Sequence, residues 1–418
     1  MLLCIQQPFI AQNFQKNISH YSFIKYDYNK IQIPGKDSSR INLFFQKLDT
    51  LIHSGKGKIN ILHIGGSHVQ ADMFSHQVRE NLDSINPDIQ IPRGFIFPFS
   101  VAKTNNPTNY KVSYKGTWNT TRNVQKELAV PLGVSGIAVH TNDPEAEISV
   151  DLNPGDITFK RWYYDRLKLL GYTKDGSRNV KPLLQYDDTV WIEGVYDSIS
   201  RSFSYELPKF ADSFTIRFLQ EDSIPHTFIL DGFIADRDTT GIVYHAIGVN
   251  GASVPSYLKS EHFEDELQLL KPDLVIFGIG INDAASKDFT DSSFHQNYNS
   301  LIERIEKVSP DCAYIFITNN DSFKRIRKNR YEVNRNGLIA RKTFYALAEE
   351  HQGGVWDLFS LMGGLRSMQK WQIAGLSQRD KIHFTKTGYQ LLGDLLFNAL
   401  MDYYQENHTS VIHYQTNN

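Results

Sequence analysis

The sequence predicts an α/β protein built on a parallel sheet, with a β-sandwich inserted into it. Two observations carry this. Strand-like apolar runs alternate with helix-period segments over 40–90 and again over 240–405. Between them, over roughly 105–239, helical periodicity is scarce. Short alternating runs rich in Thr, Tyr, Val and Ile recur there between turn signals.

The elements follow in order. "INILHI" (59–64) reads as the first strand, its run "ILHI" interrupted by one His. "HVQADMFSHQVRENL" (68–82) follows as a helix, with Val69, Met73 and Val78 at helical spacing. "YKVSYKGTW", "AEISVDL", "SFSYEL", "SFTIRFLQ" and "HTFILDGFIAD" supply the strands of the insertion. The α/β pattern then resumes. "GIVYHAIG" precedes a helix at 256–270, and "DLVIFGIG" precedes one at 291–308. The latter carries Phe294, Tyr298, Leu301, Ile302 and Ile305 on one face. "CAYIFIT" precedes a helix at 335–351, and "GVWDLF" is a short strand before a last helix at 385–403. Consecutive parallel strands joined by helices place helices on both faces of the sheet.

Composition narrows the function. In 418 residues, 44 basic side chains face 46 acidic ones, so no basic surplus exists to grip a phosphate backbone, and nucleic acid is not expected as a partner. Cys4 and Cys312 are far apart, and Cys312 opens an apolar run, so a disulfide framework is not indicated. No run has the length of a membrane span. The 14 His are scattered without ligand spacing and no phosphate loop follows a strand, so no metal or cofactor is expected. "MLLCIQQPFIAQN" (1–13) reads either as the tail of an export signal or as a buried first strand, and export is the expectation taken.

In a parallel α/β sheet, ligands bind at the carboxyl ends of the strands. The residues at those ends are therefore the candidates. They are Gly65, Gly66, Ser67 and His68, then Asn250 and Gly251, then Asn282 and Asp283, then Asn319, Asn320 and Asp321, and finally Asp380 and His383 before the last helix. A Ser on a glycine turn at a helix start is exposed, with its own N–H turned to the cleft. Gly251 and Asn282 can add donors that converge with it on a developing oxyanion. His383 can take the serine proton, and Asp380, three residues earlier, can orient the imidazole.

Four blocks, "GGSH", "GVNGAS", "GIGIND" and "DKIHF", match in order the markers of the SGNH, or GDSL-type, hydrolases, and the sequence resembles that family over 40–104 and 240–405. The resemblance implies a three-layer, flavodoxin-like hydrolase domain. It implies Ser67 as nucleophile, Asp380 and His383 as its partners, and Ser67, Gly251 and Asn282 as oxyanion donors. The family usually has Asp where Gly66 stands, so the rigidity of the nucleophile turn is in question. The inserted β region and "SHVQAD" resemble the bacterial peptidoglycan O-acetylesterases, which carry a carbohydrate-binding-like, jelly-roll-like sandwich at this point.

The expected organisation is therefore an N-terminal segment (1–39), the hydrolase domain in two parts (40–104 and 240–405), the inserted sandwich (105–239) and a tail (406–418). The expected activity is a periplasmic or otherwise exported serine esterase that removes O-acetyl groups from a glycan, most of all peptidoglycan. The alternatives are an O-acetyltransferase using the same triad and a catalytically weak glycan-binding protein. His68, Asn250 and Asn105 are possible substrate contacts, with a structural hydrogen bond the competing role for His68. Asp72, Asp283 and Asp321 read as structural. Tyr110, Tyr114 and Trp118 read as core aromatics with a sugar-stacking alternative, and 93–107, with Asn105 and Asn106 at its polar end, as a linker that can wall the cleft.

Overall fold

The run 59–64 forms the middle of a sheet, because its residues have nowhere else to go. Ile61, Leu62 and Ile64 are buried on both faces in the computed structural model, which describes residues 14–155, 162–187, 190–327 and 330–408. Strand Lys58–Gly65 pairs in parallel with Gly241–Gly248 on one side and with Leu274–Gly278 on the other. Ala313–Ile317 and Gly354–Trp356 continue the sheet in parallel. Near-continuous apolar runs are what a sheet covered on both faces requires. Phe277 and Phe316 stack across neighbouring strands at 5.1 Å, both fully buried. Each such ring contributes about 1.5–3 kcal/mol by leaving water.

His63 is the one fully buried polar residue inside this run. Its Nδ1 is 2.9 Å from the Tyr244 hydroxyl, and burial pushes its pKa down to about 3, so it is a neutral core imidazole.

Two groups of helices cover the sheet. Ser39–Ser54, Met73–Asp83 and Lys386–His408 pack against one another, as do Phe263–Leu270, Asp291–Glu306 and Asn336–Glu350. The five expected buried positions of Asp291–Glu306 are its buried face. Two departures concern helix breaks. The segment 68–82 is two helices, Ser67–Gln70 and Met73–Asp83, because Asp72 adopts φ +48° between them. The segment 256–270 is also two, Val254–Tyr257 and Phe263–Leu270. The sheet also has an edge that the periodicity missed: Ile31–Gln32 pairs antiparallel with Gly354–Trp356. Two residues are too few to show a period. The stretch 1–13, read as export signal or strand, lies outside the described residues, as does most of the tail.

Between Lys58–Gly65 and its parallel neighbour Gly241–Gly248 the chain builds two antiparallel sheets. One runs in the order Trp191–Glu193, Val180–Gln185, Ser213–Gln220, Glu147–Asp151, Lys111–Lys115. The other runs Val195–Asp197, Ser202–Ala211, Tyr164–Thr173, Phe228–Asp236, Ile137–Thr141, Asn119–Arg122. Gly94–Ile96, in the stretch read with the parallel sheet, pairs instead with Phe228–Asp236. Rings bridge the two sheets: Phe214 with Phe233 and Phe218 with Phe228, each pair at 5.0 Å. Trp118 and Tyr110 belong to this core and satisfy their polar atoms on the Lys115 and Phe97 carbonyls, whereas Tyr114 is exposed.

A buried charge cluster joins the two regions. Asp72 accepts hydrogen bonds from Arg93 at 2.5 Å, Ser75 at 2.5 Å and Asn109 at 2.8 Å, and Arg79 lies 3.5 Å away. Burial pushes its carboxyl up, but Arg79 and Arg93 outweigh that and hold it far below the carboxylate range.

Candidate active site

The site starts with a packing constraint. A Cβ on Gly65 would sit 2.2 Å from Val69 Cγ2, so only glycine lets strand Lys58–Gly65 turn this closely into the next helix. Gly66 accepts the N–H groups of Val69 and Gln70, which makes Ser67 the first helical residue. The first-turn N–H groups of a helix have no acceptor within it, so the Ser67 N–H is a donor at the strand end.

The loop before the last helix meets this turn. It is pinned at its neck, where Gln378 N–H donates to the His383 carbonyl and Thr385 N–H to the Leu376 carbonyl. Within it, Asp380 Oδ1 accepts the N–H groups of Ile382 at 2.9 Å and His383 at 3.0 Å. Asp380 Oδ2 lies 2.7 Å from His383 Nδ1, and His383 Nε2 lies 2.7 Å from Ser67 Oγ. A carboxylate only accepts, so Nδ1 carries the proton and Nε2 is left to accept from the serine hydroxyl. Burial pushes the Asp380 carboxyl up, but the bonds from the His383 ring and from the loop N–H groups bring it down to about 2.

Asn282 stands on the short helix Ile281–Ala285, with its Nδ2 donating to the Ala252 carbonyl at 2.8 Å. An amide NH₂ has two donors, so one is left over. A Cβ on Gly66 would lie 3.4 Å from that Nδ2, which puts the Asn282 amide beside the nucleophile turn. Gly251 belongs to the turn whose Ala252 N–H donates to the Val249 carbonyl. Its φ of +84° belongs to the left-handed region. Ser67, Gly251 and Asn282 thus come from three strand ends, and the Ala252 carbonyl ties the last of them to the turn that holds Gly251.

Gln70, one helical turn after Ser67, holds the wall of the cleft. Its Oε1 accepts the Asn250 N–H at 2.7 Å, and its Nε2 donates to Thr104 Oγ1 and to the Asn105 carbonyl. Asn250 Nδ2 reaches the same Thr104. Asn250 and Asn105 are therefore gathered by a residue the sequence reading did not single out. The available signal was its position three residues past Ser67, on one helix face.

The His68 ring packs beside the His383 ring, with 5.2 Å between centroids. Its Nδ1 is 2.7 Å from the Tyr389 hydroxyl, its Nε2 is buried, and burial pushes its pKa down to about 3. The structural hydrogen bond expected as the competing role of His68 is thus present. Asp283 accepts the Val254 N–H, and Asp321 accepts the Met368 N–H; burial raises both, Asp283 to about 6. Both are loop anchors. Among the described residues, no group of His, Cys, Asp and Glu is arranged to hold a metal ion.

Residues 212–391 match the GDSL-like lipase/acylhydrolase family. Over that stretch the chain is similar to the GDSL-like acylhydrolases. The match spans Gly251, Asn282, Asp380 and His383; Ser67 lies before it, on the far side of the inserted strands. No curated protein sequence matches the chain. Among solved structures, a peptidoglycan O-acetylesterase is similar at a TM-score of 0.68 and 19% identity, over 90% of this chain and 99% of its own. Two more distant likenesses are an acetyl xylan esterase, at TM-score 0.31, 18% identity and 39% and 82% coverage, and a family two carbohydrate esterase from Cellvibrio japonicus, at TM-score 0.27, 8% identity and 71% and 99% coverage. The chain therefore has the fold of the GDSL-like hydrolases, with a parallel sheet and additional antiparallel sheets. Among its described residues no helix is long and apolar enough to cross a membrane. The chain departs from the pattern of the family it resembles at Gly66, and a Cβ there would meet only ordinary contacts, the nearest at 3.4 Å.

Proposed function

We propose that this protein is an exported serine O-acetylesterase acting on an acetylated glycan, with O-acetylated peptidoglycan as its substrate. The observation that supports the reading most is the unbroken chain from Ser67 Oγ through the His383 ring to Asp380, each step 2.7 Å.

In this mechanism Ser67 Oγ attacks the acetyl carbonyl carbon while His383 Nε2 takes its proton. Asp380 holds the imidazole in the required tautomer and offsets the charge it gains. The N–H groups of Ser67 and Gly251 and the spare Asn282 amide hydrogen stabilise the tetrahedral oxyanion. His383 then protonates the departing sugar oxygen, leaving acetyl-Ser67. Water, deprotonated by His383, hydrolyses that ester and releases acetate. The two facing antiparallel sheets are read as a β-sandwich of carbohydrate-binding-like type, inserted into a hydrolase unit formed by the residues before and after it. Asn250 and Asn105, gathered by Gln70, offer the sugar polar contacts at the rim.

The test is acetate release from a small aryl acetate and from O-acetylated peptidoglycan, by the wild type and by Ser67→Ala. Turnover of both substrates by the wild type alone supports the reading. Transfer of acetyl to an added sugar acceptor, without free acetate, would make it an acetyltransferase. Silence on both substrates would remove the esterase.

A further inference from the structure

Next to the catalytic loop stands a feature that the mechanism does not use. After strand Ala313–Ile317 the chain forms a two-stranded hairpin, Phe323–Arg327 with Arg330–Val333. Its sequence, "SFKRIRKNRYEVNR" (322–335), carries six basic residues and one acidic residue. The whole chain is nearly neutral, so this is a local concentration of charge. Arg327, Arg330 and Arg335 are exposed and Lys324 is half-buried. Among the described residues, the ion pair within the hairpin is Arg330 with Glu332, at 3.5 Å and open to solvent. Such a pair holds little charge in check.

The base of the hairpin is fixed between two parts of the active site. On one side the Phe323 N–H donates to the Lys381 carbonyl, in the loop that carries Asp380 and His383. The Lys381 ammonium lies 5.0 Å from the Phe323 ring and 5.6 Å from the Tyr331 ring. On the other side Asn334 Nδ2 donates to the Ala284 carbonyl at 3.1 Å, on the short helix that carries Asn282. Asn334 N–H also closes the hairpin neck on the Ser322 carbonyl. The basic strands therefore rise from the rim between the oxyanion amide and the catalytic imidazole.

We propose that this hairpin is a docking arm for the carboxylates of the substrate polymer, which makes the substrate an acidic acetylated glycan rather than a neutral one. The inference rests on the peptidoglycan reading above: that polymer carries peptides with free carboxylates on the sugars that bear the acetyl group. A row of guanidinium and ammonium groups at the cleft rim complements such a strand, both by long-range attraction and by paired contacts with carboxylates. A neutral acetylated xylan gains nothing from it.

The experiment compares the wild type with a Lys324→Gln/Arg327→Gln/Arg330→Gln variant on three substrates: aryl acetate, O-acetylated peptidoglycan, and the same peptidoglycan with its carboxylates amidated. The expected result is a KM for native peptidoglycan raised about tenfold in the variant, with aryl acetate turnover unchanged. Raising NaCl from about 50 to about 300 mM should raise KM for the wild type and leave the variant nearly flat. Amidated peptidoglycan should be as poor for the wild type as the native polymer is for the variant. An Arg327→Lys/Arg330→Lys variant should keep the wild-type KM. Equal KM values on native peptidoglycan would overturn the arm while the esterase reading stands. An equal loss on neutral acetylated xylan, or on aryl acetate, would make the hairpin a support of the catalytic loop and would also overturn it. A wild type that cleaves aryl acetate but not peptidoglycan would remove the substrate reading, and the arm with it.

Discussion

Asp380 holds His383 twice, through the ring Nδ1 at 2.7 Å and through the backbone N–H at 3.0 Å. One carboxylate thus fixes both the rotation of the imidazole and the loop that presents it. Because its pKa is held near 2, Asp380 remains a carboxylate throughout the range in which a serine esterase works. Asp380→Asn keeps the size but removes the acceptor pair that selects the tautomer. Its kcat on aryl acetate is expected to fall by about three to four orders of magnitude. The fall should be present at every pH from mildly acidic to alkaline. A loss of less than tenfold would show that Asp380 does not orient the base.

Asn282 makes a different kind of contribution. Its amide is anchored on the Ala252 carbonyl at 2.8 Å, which leaves its second hydrogen for the oxyanion of the proposed mechanism. Asn282→Ala is expected to lower kcat by about 10²–10³-fold with little change in KM, since the bond forms to developing charge and not to ground-state substrate. Steady-state kinetics on aryl acetate separate the two constants. A rise in KM alone would assign Asn282 to substrate binding.

Gly66 is the position where the family pattern is broken, and the surroundings show how little that break demands. A Cβ there meets the Ala252 carbonyl and Asn282 Nδ2 at 3.4 Å, and Gly66 has φ −100°, outside the left-handed region that demands glycine. Gly66→Ala is therefore expected to fold and to keep activity within about tenfold of the wild type. Loss of activity with an unchanged melting temperature would mean that the turn needs its glycine for motion, not for space.

What could be read from the sequence follows from range. The strands ending at Gly65, Gly248, Gly278 and Ile317 were legible because burial on both faces leaves an apolar run. The sequence blocks that carry Ser67, Asp380 and His383 are far apart, yet their meeting was expected, and the structure brings the three side chains together. The break at Asp72 was not legible, since its cause is a cluster with Arg79, Arg93 and Asn109, distant in sequence. Gln70 and Tyr389 were missed for the same reason: each acts through hydrogen bonds to residues distant in sequence. The hairpin at 323–333 was missed because charged strands on a protruding ribbon show no apolar alternation.

The Asp72 cluster predicts a stability effect rather than a catalytic one. Asp72 is buried with two buried guanidinium groups, and each of those would be left without its carboxylate in Asp72→Ala. Removing one member of a buried charge cluster costs about 3–5 kcal/mol. The variant is expected to melt at lower temperature and to lose urea resistance, while its folded fraction retains aryl acetate turnover. A wild-type melting curve would show that water or rearrangement replaces the carboxylate.

The last prediction concerns pH and the second joint between the two regions. Asp231, on strand Phe228–Asp236, and Glu266, on helix Phe263–Leu270, are both buried and act on each other. The loop of the insertion docks on them: Gly133 N–H donates to Asp231 at 3.2 Å and Val134 N–H to Glu266 at 2.8 Å. Burial pushes both carboxyls up, and the neighbouring carboxyl raises Glu266 further. The folded chain therefore holds more protons here than the unfolded chain, whose carboxyls titrate near 4. Where the folded state binds more protons, stability falls as pH rises. The pair's contribution is complete below about pH 4 and is lost progressively as pH climbs toward neutrality and beyond. Glu266→Gln keeps an acceptor for Val134 and removes one of the two titrating groups. Between mildly acidic and mildly alkaline buffer the wild type is expected to lose several degrees of melting temperature, and Glu266→Gln is expected to lose fewer. Parallel slopes for the two proteins would show that the shared proton does not hold this joint.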